Sequence, residues 1–244
     1  MTAISIKGLR KEYKDVVAVD DLNLEINEGE LFSLLGVNGA GKTTTIKMLS
    51  TLTKPTSGDA LIFDNSILTD GDKIKDIVDV SMQETAVARK LTVKENIEFY
   101  ARLSGQNKDE VEQSVKYVYD AFELGEVKNK QAAKLSGGWQ RKLSIALALV
   151  SRPKVLFLDE LTLGLDVIAR RELWKIIKSL KGKMTIILTT HYMEEAEALS
   201  DRIGIMKKGK LLFVGTKEEL YKTTGKASVE DAFVELVTGG DTDA

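Results

Sequence analysis

GVNGAGKT, Gly36 to Thr43, is the stretch whose reading decides the fold. It has the form Gly, four residues, Gly-Lys-Thr, the pattern of a phosphate-binding loop. An apolar run before it, Leu31 to Leu35, reads as a buried strand, and a helical pattern after it covers Thr44 to Leu52. Strand, tight Gly-rich turn and helix N-terminus together are the context that such a loop needs, because the open N–H groups of the first helical turn attract an anion. Glycines let the backbone bend sharply and approach phosphate oxygens. Lys42 is placed to reach the β- and γ-phosphates, and the Thr43 hydroxyl to hold Mg²⁺.

Working outward, residues 3 to 32 read as β: ISIKGL and VVAVDDLNLEI alternate apolar and polar side chains, as half-buried strands do. Asn27 to Glu30 is a turn, Ala60 to Phe63 and Val78 to Met82 are further strands, and Lys54 to Gly58 is a turn. From Gln83 the pattern becomes helical. Thr92 and Glu95 form a capping box before Val93, Ile97 and Tyr100/Ala101, and Asp109 to Leu124 carries a second apolar stripe. Polar Gly125 to Lys134 links this block to LSGG, Leu135 to Gly138, and to a helix over Trp139 to Val150, which Ser136 is placed to cap. Buried strands return at Val155 to Asp159 and Thr185 to Thr190. A helix face between them carries Leu173, Ile176, Ile177 and Leu180. A helix at Met193 to Leu199, strands at Ile203 to Met206 and Lys210 to Gly215, and two short helices opened by Thr216/Glu219 and Ser228/Asp231 complete the chain, with TGGDTDA as a frayed tail.

Composition narrows the function. The 244 residues carry 35 Lys and Arg against 37 Asp and Glu, a net charge of −2, which makes no electrostatic case for nucleic acid. The basic spots at Lys207 to Lys210 and around Arg170 are short and mixed with acids, so they read as solvated faces. The absence of Cys removes disulfides, thiol catalysis and thiolate metal sites. The start of the chain lacks the apolar core of a signal peptide, and no apolar stretch is long enough to span a bilayer. The expectation is a cytoplasmic protein, with any membrane-spanning helices supplied by another chain.

Three further features carry chemistry. VLFLDE ends in Asp159, suited to the Mg²⁺ shell, and Glu160, suited to accept a proton from attacking water. His191, the only histidine, follows TIILTT at a strand C-terminus, where ligands bind in open α/β sheets, and can donate to a γ-phosphate. LSGG opens a second helix whose first amides can meet an anion. One chain has no need of two such termini for one phosphate, but two copies meeting head to tail do.

In the order Tyr13, GVNGAGKT, Gln83, LSGGWQRK, VLFLDE, LTLGLD, His191, the chain resembles the nucleotide-binding subunit of an ATP-binding cassette (ABC) transporter over residues 3 to 222. THYMEEAE, Thr190 to Glu197, resembles the ATPase subunits of drug and ion exporters. The resemblance implies an α/β fold: a P-loop NTPase core with mixed sheet, an N-terminal antiparallel β lobe and an inserted helical subdomain. The whole of 1–244 is one ATPase domain, with lobe and core at 1–83 and 151–222, helices at 84–150, and a C-terminal helix and tail at 223–244. It further implies that Tyr13 stacks on adenine and that Gly36, Asn38, Gly39, Ala40, Gly41, Lys42, Thr43 and Thr44 wrap the phosphates. Thr43, Gln83 and Asp159 hold Mg²⁺; Glu160, His191 and Gln83 act at the attacking water and γ-phosphate. Ser136, Gly137 and Gly138 grip ATP held by a second copy or a related cassette, and Asp166 lies in the loop at that interface. The implied activity is ATP hydrolysis driving export through a separate integral membrane permease, with the chain peripheral on the inner face of the membrane and no nucleic acid involved. The alternative is a soluble mechanical ATPase of the same superfamily. The chain departs from the family pattern at Leu161, where Pro is usual, at Leu163 and Val167, and at Trp139; loss of the proline is expected to loosen Glu160 and Asp166.

Overall fold

A computed structural model describes residues 1–239; the last residues of the expected tail lie outside it. In chain order the elements are β1 (Thr2–Tyr13), β2 (Val16–Asn27), β3 (Leu31–Leu35), α1 (Lys42–Leu49), β4 (Ser57–Ile62), β5 (Asn65–Ser66), α2 (Gly71–Lys75), β6 (Val78–Ser81), α3 (Val93–Leu103), α4 (Lys108–Phe122) and α5 (Gly137–Val150). There follow β7 (Val155–Asp159), α6 (Val167–Leu180), β8 (Thr185–Thr190), α7 (Met193–Leu199), β9 (Arg202–Lys207), β10 (Lys210–Gly215), α8 (Lys217–Thr224) and α9 (Val229–Thr238). The chain divides into two compact units, one made of Met1–Lys75 with the residues from Lys181 onward, the other of Asp76–Leu180.

The first unit holds an antiparallel sheet in the order β2-β1-β4-β5 and mixed strands in the order β10-β9-β3-β8. β1 buries Ala3, Ile4, Ile6 and Leu9 completely or nearly so, with the alternation shifted where its register against β2 slips. β3 differs: all its side chains are buried, Ser33 among them, and it pairs in parallel with both β8 and β9. A strand covered on both faces reads as a continuous apolar run because neither face meets water. Leu35, Ile203 and Ile205 then join Ala196 of α7, Leu220 of α8, and Val229, Ala232 and Phe233 of α9 in one apolar cluster. Each Leu, Ile, Val or Phe side chain buried there contributes about 1.5–3 kcal/mol.

The second unit pairs β6 with β7 in parallel, Val78 opposite Val155 through Ser81 opposite Leu158. α5 packs against α3, α4 and β6, and every residue from Arg141 to Val150 is buried. A helix apolar on nearly all sides belongs inside a domain. The capping box at Thr92 and Glu95 forms, with Thr92 accepting from the Glu95 amide at 3.2 Å and the Glu95 carboxylate accepting from the Thr92 amide at 2.7 Å. Asn107 and Glu110 make a second box that opens α4.

Several expectations are corrected. Gly125 to Lys134 is no plain polar link: 3₁₀ turns at Leu124–Val127 and Ala132–Lys134 bury Leu124, Val127 and Ala132. The second stripe stops at Phe122, where Glu123 turns left-handed at φ 55°. β4 begins at Ser57, inside the expected turn. Ser136 stands at the N-cap of α5 in extended backbone but makes no side-chain cap bond.

Asp79 on β6 is a half-buried carboxylate with a measurable consequence. Burial pushes its carboxyl up to about 6 from the ordinary 3.8, against the Val80 amide and the Ser151 hydroxyl, which both donate to it. Between those two values the native chain holds a proton that the unfolded chain has lost, so stability falls as pH rises through that window and is level above it. The cost at neutral pH is at most roughly 3 kcal/mol. Asp79→Asn is therefore expected to raise the urea midpoint at neutral pH and to lose that advantage below pH 3.8; identical midpoints at neutral pH would show that the buried charge costs nothing.

Candidate functional site

In the first unit, parallel register sets the phosphate loop. Leu35 at the end of β3 lies opposite Thr190 at the end of β8, and the Gly36 amide donates to the Thr190 carbonyl at 3.3 Å. Gly36 and His191, 155 residues apart, thus leave neighbouring strands at the same edge. His191 is half-buried, with its ring 4.1 Å between centroids from that of Tyr192.

Glycine is required at two points of the loop for lack of room. A Cβ on Gly36 would lie 2.5 Å from the Met206 carbonyl oxygen, and one on Gly41 would lie 2.4 Å from that of Ala18. Gly41 also sits at φ 109°, a backbone state that side chains rarely adopt, and it starts α1 without a side-chain cap. The amides of Asn38, Gly39 and Gly41 find no acceptor among the described residues. Open donors on a tight loop before a helix form the concavity that a phosphate chain fills. The Lys42 side chain is buried and curls back over the loop, donating to the carbonyls of Gly36 at 2.7 Å and Val37 at 3.3 Å. Thr45 steadies the first turn by donating its hydroxyl to the Gly41 carbonyl at 3.0 Å. Tyr13 ends β1 with a half-exposed ring, and the Lys11 ammonium lies 4.8 Å from its centre.

The second unit gathers the remaining residues. β7 delivers Asp159 and Glu160, both buried, and Glu160 takes a left-handed φ of 50°. Gln83 follows β6 with its side chain exposed. The loop after it is shaped by buried Asn96, whose amide group donates to the carbonyls of Ala88, Leu91 and Thr92 and accepts from the Ala88 amide. Ser136 and Gly137 are exposed at the start of α5. Asp166 caps α6, accepting from the amides of Ile168 and Ala169 at 2.9 Å each. Trp139 lies under the ammonium of Lys142, 4.6 Å from its ring centre, and Lys142 pairs with Glu172 at 2.8 Å.

Sequence reasoning missed Arg141. This guanidinium is buried and donates to the carbonyls of Met82, Gln83, Asp159, Glu160 and Leu161 at 2.6, 3.2, 2.8, 3.1 and 2.7 Å. The signal was present: a charge at the head of LSIALALV, in a helix too apolar to have a wet face, must be paired inside. The same bonds bear on Leu161. The turn lacks the rigidity of proline, but its carbonyl is held by Arg141 and its side chain is fully buried.

The family model described as ABC transporter matches residues 19–163. The phospholipid-transporting ATPase ABCA3 of Homo sapiens is 44% identical over 229 residues, which cover 92% of this chain and 13% of that protein. The chain thus spans a small part of the length of the first relatives it matches. The daunorubicin/doxorubicin resistance ATP-binding protein DrrA of Streptomyces peucetius is 38% identical over 224 residues, 91% of this chain and 68% of that one. Among solved structures, the ATP-binding subunit of an ABC transporter superposes with a TM-score of 0.86 at 27% identity, covering 96% of this chain and 99% of the other. A dimeric ATP-binding cassette in a post-hydrolysis state, bound to ADP and Pi, does so with a TM-score of 0.78 at 26% identity, covering 87% and 98%.

The loop geometry makes a graded prediction. Gly41→Ala adds a backbone clash to an unfavourable φ, and is expected to cost about 2–4 kcal/mol in urea unfolding. Gly39→Ala meets nothing within 4 Å and bears only its φ of 79°, so about 1–2 kcal/mol is expected. Equal losses would show that crowding at Ala18 does not shape the loop.

Proposed function

The chain belongs to the ABC transporter family, and on that footing we propose that it binds and hydrolyses ATP to power export through a separate membrane subunit. The observation that carries this reading is the loop Gly36–Thr43, with its open amides and the Lys42 ammonium folded over it. Tyr13 stacks on adenine; Gly36, Asn38, Gly39, Ala40, Gly41, Lys42, Thr43 and Thr44 bind the phosphates; His191 donates to the γ-phosphate. Glu160 accepts a proton from the attacking water, and Gln83 orients that water. Thr43, Gln83 and Asp159 would hold Mg²⁺, whose charge offsets that building up on the phosphate oxygens. A hydroxyl, a side-chain amide oxygen and one carboxylate are hard oxygen donors that suit this ion, and so few protein donors would leave room for phosphate oxygens and water. Catalysis is then positioning and electrostatics.

Ser136, Gly137 and Gly138 act on ATP bound by a second copy or a related cassette, head to tail, with Asp166 at the junction. The exposure of Ser136 and Gly137, and the absence of a cap bond from Ser136, support a role outside their own helix. The dimeric state of the ADP-bound relative supports the same assembly. Among the described residues no helix is long and apolar enough to cross a membrane, so the permease is another chain or another part of a longer one. The chain then works in the cytoplasm, peripheral on the inner face. Export is favoured over import by THYMEEAE and by the relative named for drug resistance.

Glu160→Gln is expected to keep ATP affinity, to lower turnover by about 10²–10⁴-fold, and to accumulate an ATP-dependent dimer by light scattering. Turnover at the wild-type rate would remove Glu160 from its role. Affinity capture from native membranes is expected to recover an integral membrane chain; ribosomal or DNA-processing partners instead would favour the soluble mechanical ATPase.

A further inference from the structure

We propose that Arg141 is a positioning residue of the hydrolytic reaction, holding the backbone at Gln83 and at Glu160 in one fixed arrangement. The inference rests on the hydrolytic reading above and adds a residue that touches none of the reacting atoms.

Five carbonyls converge on this one side chain, and they belong to two segments far apart in sequence. Nη1 donates to Met82 and Gln83, just past the end of β6. Nη2 donates to Asp159 and Glu160, and Nε to Leu161, at and past the end of β7. Regular strand pairing ends there, and besides the Leu163 amide, which donates to the Glu160 carbonyl at 3.3 Å, Arg141 supplies donors to these carbonyls. A planar guanidinium offers donors along three edges and can bracket both segments, whereas an ammonium is a point charge that cannot. Arg141 as a whole is only 4% exposed, and hydrogen bonds to carbonyl oxygens help to offset the burial of its charge.

What is held is unusual backbone. Glu160 adopts a left-handed φ of 50° without being glycine, a state that costs about 1–2 kcal/mol for a residue with a Cβ. The bonds from Arg141 to the carbonyls of Asp159, Glu160 and Leu161 bracket that residue on both sides. They aim the Glu160 carboxylate through its main chain, and the bonds at Met82 and Gln83 do the same for the Gln83 amide. Arg141 also lies one helical turn beyond Gly137 on α5. The start of the LSGG helix is thereby tied to both groups that handle water.

The test compares the purified wild-type protein with Arg141→Lys and Arg141→Met. ATP affinity is read by calorimetry, kcat by phosphate release, and backbone order by hydrogen exchange of peptides covering 82–85 and 158–162. Both variants are expected to lose about 10–100-fold in kcat, with ATP affinity nearly unchanged and faster exchange confined to those two segments. A wild-type kcat in Arg141→Lys overturns the proposal, because charge alone would then suffice. A wild-type kcat in Arg141→Met overturns it too, because packing would suffice. Loss of ATP affinity in step with kcat, exchange raised throughout, or failure of both variants to fold would make Arg141 a general support of the fold and overturns the positioning role. Absence of ATP hydrolysis in the wild type would instead strike the reading beneath it, and the exchange comparison would still decide whether Arg141 holds the two segments.

Discussion

The first unit depends on the parallel pairing of β3 with β8. Parallel strands must point the same way, so whatever follows each of them emerges at one edge. Register alone therefore brings Gly36 beside the residue before His191, across most of the chain's length. The strands can hold this register because both are buried on every residue, and a slip would break a full ladder inside the core. The Gly-rich loop then has a fixed starting point. Its shape is completed from the other side by the Ala18 carbonyl, which comes so close to Gly41 that only hydrogen fits between.

The second unit solves a different problem. It must present two carboxylates and a glutamine at strand ends, where backbone hydrogen bonding runs out. Arg141 supplies five donor contacts there from within α5. The unit accepts a buried cation for this, and neighbouring contacts repeat the theme of polar ties around an apolar helix: Ser144 with Ser81, and Lys142 with Glu172 and Trp139. Such ties are individually worth about 1 kcal/mol, and their value lies in fixing geometry more than in stability.

Much of the fold was legible because burial leaves a plain trace in sequence. VLFLD and TIILTT appear at the expected bounds because strands covered on both faces read as runs rich in aliphatic and β-branched residues rather than as an alternation. Met193–Leu199 and the helices opened by Thr216 and Ser228 follow from spacing and caps. β5 and α2 escaped notice because two and five residues carry no period. The turns within Gly125 to Lys134 escaped because a few buried apolar residues in a polar segment have no regular spacing.

The candidate site was legible by residue type and order, since a tight phosphate loop tolerates glycine alone at crowded points and the Asp-Glu pair must close a buried strand. By itself the sequence determined which groups are available: the loop, Asp159, Glu160, Ser136 and the one histidine. Only the tertiary structure decided how backbone is held between them. That Arg141 must be paired inside follows from its apolar helix, but which carbonyls it meets, 18–59 residues away, appears only in the tertiary structure. Hydrogen bonds to main-chain oxygens leave no mark in sequence, because every residue at the accepting position offers the same carbonyl.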